Sequence, residues 1–253
     1  MTRNGRRFWQ IGVLLAVLIV TTFGTAAALS RADFDHALDA IPLTSHDRIL
    51  AAIDLGLSQA GFPANELLSL IQRLALIAAP AEEKEAILLM LARALEQGLS
   101  IDGLLPAGSA LASAIEEGLP IEGVVLEALK GIAQRSPTSV IVAGITQRLT
   151  LLREVRDLLF ARQIFRASVG TSQSSPTALP ATRFDELVVQ IADAVSDYLE
   201  GGGSPFDGAA LYELVAVRLR RLPESVVRPE DVDLVLDRIG PPDLTEIALN
   251  VLS

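Results

Sequence analysis

Cysteine is absent from the 253 residues, which excludes a disulfide framework, thiolate metal sites, a thiol nucleophile and lipid attachment through an N-terminal cysteine. Stability must therefore come from packed apolar faces. Aromatic residues make up only 4% of the chain while half of it is apolar, so the core is made of Leu, Ala, Ile and Val, a helix-forming palette. Lysine occurs only at Lys84 and Lys130, and arginine supplies the other cations, a skew that with the excess of alanine reflects genomic base composition. Strand-length period-2 alternation is hard to find. Apolar spacings of three and four recur throughout, separated by proline, glycine and capping residues, and predict an all-α chain of packed helical hairpins.

The clearest feature present is the run Phe8 to Ala28, nearly uncharged, preceded by Arg3, Arg6 and Arg7 and followed by an acidic chain. A basic region, a compact apolar stretch from Ile11 to Val20 and small residues at Ala26 and Ala28 follow the order of a secretory signal, cut near Leu29 or Arg31. The same run is close to the roughly 20 apolar residues that cross a bilayer, so an uncut anchor with its arginines inside fits too. Arg6-Arg7 lacks the usual flanks of a twin-arginine signal. Either way residues 1–30 address the chain to the cell envelope, periplasmic or held at the inner membrane by residues 8–28.

The net charge is −10; the first 30 residues carry three arginines and no acid, so the remainder has 18 basic against 31 acidic residues, −13. Such a surface repels nucleic acid and anionic lipid heads. Contact with a membrane is expected only through the N-terminal segment.

Within 31–168 the first short helix spans Asp33 to Ala40, Thr44 or Ser45 caps a second running toward Ala60, and Gly61 ends it in the left-handed region. Pro63 restarts the chain with Leu67, Leu70, Ile71, Leu74 and Ile77 on one face. Glu82, Glu83 and Glu85 open the next helix near its positive end, Ile87, Leu88, Leu91 and Leu95 line it, and Gly98 closes it. The stretch Ala94–Leu105 then resembles Ala114–Val125 at an offset of 20 residues. Both copies do one job: glycine ends a helix, an apolar residue plugs the joint, and a new helix begins with an acid near its start. Repeated joints suggest a short solenoid-like array, although two good copies fall short of the three repeats a solenoid needs.

Ser136-Pro137 opens the longest helix, to about Ala167, with Ile141, Ile145, Leu149, Leu152, Val155 and Leu159 along one face. Its Arg148, Arg153, Arg156, Arg162 and Arg166 make it a basic stripe, either a dock for an acidic partner or the complement of the chain's own acidic helices. Residues 169–182, rich in Ser, Thr, Pro and Gly, read as a flexible linker. Residues 183–253 form a smaller helical region, with Thr182 and Asp185 resembling a capping box, another at Ser204-Pro205 with Asp207, and short helices after Pro229 and Pro242. A region this small has little core of its own and leans on the first lobe.

Tests for chemistry assign no catalytic, cofactor-binding or metal residue. Ser45-His46-Asp47 spells a hydrolase triad, but consecutive helical residues diverge by about 100°, so it reads as a cap and a polar first turn. His36 with Asp39 could share a metal beside Asp33 and Asp35, yet zinc ordinarily takes three or four convergent ligands. Glu116-Glu117 and Asp231 with Asp233 could pair as acid and base; surface helices carry such pairs routinely. Gly201-Gly202-Gly203 lacks the lysine and the preceding strand of a phosphate loop.

The segment Leu126-Glu127-Ala128-Leu129-Lys130-Gly131-Ile132-Ala133-Gln134-Arg135-Ser136-Pro137 resembles a helix joint of uncharacterised exported α-helical bacterial proteins. The resemblance implies an exported helical protein and transfers no catalytic residue. The expected role is a non-catalytic protein-interaction or structural module of the envelope whose partner is another envelope protein. The alternative is an envelope hydrolase using carboxylates or a metal, with Asp33, Asp35, His36 and Asp39 as its candidates.

Overall fold

A computed structural model describes residues 29–166 and 178–252. The segment Phe8 to Ala28 and most of the expected linker lie outside the described residues. Eleven helices account for the described chain: α1 (Arg31–Leu38), α2 (His46–Leu57), α3 (Ala64–Leu76), α4 (Ala81–Glu96), α5 (Leu105–Glu116), α6 (Glu122–Ala133), α7 (Thr138–Ala161), α8 (Ala181–Glu200), α9 (Gly208–Arg220), α10 (Pro229–Arg238) and α11 (Pro241–Leu252). A two-residue parallel pairing of Phe165–Arg166 with Ala178–Leu179 is the sole extended pairing among the described residues. No described helix is long and apolar enough to cross a membrane.

Proline starts most of these helices. Pro63, Pro80, Pro137 and Pro180 stand just before α3, α4, α7 and α8, and Pro229 opens α10. A fixed φ suits the entry, and the missing N–H is one that no helix could bond. The expected capping box at Thr182 is corrected accordingly: Pro180 caps α8, its carbonyl accepting from the N–H groups of Arg183 and Phe184, and Thr182 lies inside the first turn. Asp207 does cap α9, directly, its side chain accepting from the Ala210 N–H at 3.1 Å.

The two similar stretches, Ala94–Leu105 and Ala114–Val125, have the same joint. Gly98 and Gly118 are left-handed, with φ of 71° and 72°. In each, the following leucine N–H reaches back to the carbonyl of Ala94 or Ala114, both 2.9 Å, completing a Schellman ending. The third and fourth such endings use side-chain-bearing residues, Arg135 (φ 55°) after α6 and Gln163 (φ 60°) after α7. Gln163 is why α7 stops at Ala161, short of Ala167.

From α1 to α7 each helix packs on the next but one: α1 on α3, α3 on α5 and α5 on α7 in one row, α2 on α4 and α4 on α6 in the other. The apolar faces meet between the rows. Leu67, Leu70, Ile71 and Leu74 of α3, Ile87, Leu88, Leu91 and Leu95 of α4, and all six stripe residues of α7 are buried. The second half returns onto α7, which packs on both α8 and α11, while α9 packs on α8 and α11.

The basic stripe of α7 is turned onto the protein's own acids. Arg148 pairs with Asp193 of α8, Arg162 with Asp243 of α11, and Arg153 holds Glu117 through two bonds of 2.9 and 3.0 Å. Burial pulls the Arg148 guanidinium below the ordinary arginine value, so its ion pair offsets a desolvation cost.

Candidate functional site

Most acids with a defined partner face inward or across a helix pair. Glu96 of α4 is gripped by Arg48 of α2 (2.9 Å twice) and by Arg93. Glu116 is held by Arg73 and Glu117 by Arg153 and Arg156, and each is lowered by its arginine. These two adjacent glutamates therefore serve different helix contacts and do not form an acid and base pair. Asp231 is buried and held by Arg183 and Arg228, whereas Asp233 is exposed.

Against that background the outer face of the α4–α6 pair stands apart. The first turns of these neighbouring helices bring Glu82 and Glu83 of α4 beside Glu122 of α6 around a groove of about 470 Å³. Its floor is apolar, made by Ala86, Ile121, Val125, Leu126 and Leu129. Ile121 and Val125 are anchored in the core, while Leu126 is 53% exposed. Glu82 and Glu122 are exposed and have no ion pair or hydrogen bond to another side chain among the described residues. The sequence places each glutamate at a helix start; only the packing of α4 on α6 brings them to one rim.

The residues weighed for metal or hydrolytic chemistry part company. Asp33 closes a capping box with Ser30, accepting from its N–H at 2.7 Å and its hydroxyl at 2.8 Å, and is lowered by those bonds. His36 is exposed and lies outside the cluster that Asp35 and Asp39 form. The imidazole that joins those two aspartates is His46, the first residue of α2. Its Nε2 lies 3.2 Å from an Asp35 oxygen and its Nδ1 3.8 Å from an Asp39 oxygen. The three sit at a surface corner, with Asp35 and Asp39 50% and 66% exposed, not in a buried cleft. The i, i+4 spacing of the aspartates was the available signal; nothing in the sequence pattern points across the turn to His46.

Comparison of the chain with protein-family models, with curated proteins and with solved structures finds no match. The geometry alone carries the functional reading.

Proposed function

We propose that this chain is an exported, non-catalytic helical protein of the bacterial envelope, and that it receives a basic amphipathic segment of another envelope protein in the groove between α4 and α6. The observation that carries the reading is the pair of uncommitted rim carboxylates, Glu82 and Glu122, around an apolar floor from which Leu126 protrudes. Apolar contact with Leu126 supplies affinity, and the acidic rim steers a cationic segment and rejects an acidic one. The alternate packing of α1 to α7 supports a short solenoid-like array, a form that displays such grooves on the outer face of a row. Residues 1–30 deliver the chain to the envelope, and the membrane is met only there.

A photocrosslinker placed at residue 126 tests the groove in living cells. It is expected to capture one envelope protein through a segment rich in Lys or Arg with an apolar stripe. The capture should disappear in a Glu82→Lys/Glu122→Lys variant that keeps its helical circular dichroism. Capture through an acidic or uncharged segment, or capture indifferent to the charge reversal, would overturn the proposal.

A further inference from the structure

The corner between α1 and α2 is built more firmly than a surface turn requires. Phe34, Leu38 and Ile41 bury it from below. From α4, the Glu85 carboxylate reaches over to hold the two residues before His46. It accepts from the Thr44 hydroxyl at 2.7 Å, the Ser45 N–H at 2.6 Å and the Thr44 N–H at 3.1 Å. These bonds outweigh burial and keep Glu85 below its ordinary pKa. His46 is thereby fixed at the first position of α2, facing the last turn of α1, where Asp35 and Asp39 stand one turn apart.

One donor atom from each of Asp35, Asp39 and His46 lies within 4.8 Å of the other two. Independently of the acids, the Nε2 atom of His46 is buried and has no hydrogen-bond partner, although the side chain as a whole is 27% exposed. The Asp35 oxygen stands 3.2 Å away but forms no hydrogen bond with that nitrogen. An imidazolium clamped by a carboxylate would aim its N–H at the oxygen. A nitrogen and an oxygen sharing one ion instead sit side by side, about 3.3 Å apart when both bond a tetrahedral centre at ordinary zinc distances.

We propose that Asp35, Asp39 and His46 bind one divalent transition-metal ion of the zinc class. An imidazole with two carboxylates suits such an ion, whereas magnesium and calcium seek six or more oxygens. The half-exposed aspartates can close on the ion by side-chain rotation alone, and three protein ligands leave a fourth position for solvent. Glu85 acts as a positioning residue that holds His46 through its neighbours. The site is separate from the groove, shares no residue with it, and stands whether or not a partner docks there.

The test is calorimetric titration of the untagged, chelator-treated full chain with zinc chloride, and with magnesium chloride in parallel. One zinc ion per chain and no magnesium binding are expected. His36→Ala should leave zinc affinity unchanged, His46→Ala should abolish binding, and Asp35→Asn or Asp39→Asn should weaken it by about tenfold or more. Glu85→Gln should weaken it by about tenfold with the stoichiometry kept. Failure to bind zinc up to about 1 mM, or equal affinity in a helical His46→Ala or Asp35→Asn/Asp39→Asn protein, would overturn the assignment. The aspartate double variant alters exposed groups only, so it decides the matter even where His46→Ala does not fold.

Discussion

Glu96 shows how single charges are used here. Its carboxylate is pulled from an ordinary 4.5 to about 2, chiefly by the Arg48 guanidinium on α2. A depressed folded-state value means the unfolded chain takes up a proton first as pH falls. The contribution is therefore complete above about pH 4.5 and drains away toward pH 2. Because Arg48 is half exposed, solvent screening limits the pair to about 1 kcal/mol. Glu96→Gln is expected to lower stability at pH 7 by that amount and to match the unsubstituted protein near pH 2. Urea unfolding of both proteins at several pH values measures the gap; a gap that persists at pH 2 would assign it to packing and not to charge.

At the scale of elements, the helix joints were the part of the fold most legible in the sequence. Gly98 and Gly118 mark endings because a left-handed residue without a Cβ returns the chain with little strain; Gly61 is left-handed too, but it stands in the turn beyond α2, which stops earlier, at Leu57, with Ser58 as its cap. The apolar faces of α3 and α7 were legible because each is wetted on its other side; α4 is buried over most of its surface, Lys84 and Glu85 included, and only its apolar spacing announces its core face. Arg135 and Gln163 end helices with no glycine to announce it, and Pro180 opens α8 where Thr182 and Asp185 had the better capping pattern. At both kinds of position tertiary packing prevails over local preference: Ile164, next to Gln163, and Phe184, in the first turn of α8, are buried. The candidate sites were half legible. Asp35, Asp39, Glu82, Glu83 and Glu122 can be placed on faces by counting, but the partners that give them meaning, His46 and a neighbouring helix, come from contacts no periodicity encodes. Two alanine substitutions separate conformation from propensity. Gly98→Ala forces φ of 71° onto a residue with a Cβ and should cost about 1 kcal/mol. Gly144→Ala, in the interior of α7 with open space around the new methyl group, should gain about 1 kcal/mol. Thermal unfolding reads both, and shifts of the same sign would contradict the assigned backbone.

For the whole molecule, the question is whether α8 to α11 can fold without the helices before them. Their attachment to α7 is extensive and mixed in kind. Phe160 stacks on Phe184 with ring centroids 5.3 Å apart, Leu179 and Ile164 are buried, and the Arg148–Asp193 and Arg162–Asp243 pairs cross the same boundary. Arg238 of α10 donates to the carbonyls of Arg162 and Gln163 at 3.0 and 3.2 Å, satisfying the end of α7. Within the second half, Gly208 lies so close to the Pro241 carbonyl that an added Cβ would stand 2.3 Å from its oxygen, which locks α9 to the start of α11. A region that borrows so much of its interior from α7 has little reason to melt alone. Phe184→Ala removes a buried ring at that boundary and should cost about 3 to 5 kcal/mol. Followed by circular dichroism in urea, the whole helical signal is expected to move to lower denaturant as one transition. Two transitions, with only the one belonging to residues 178–252 displaced, would mean that the chain folds as two independent units and that α7 merely abuts the second.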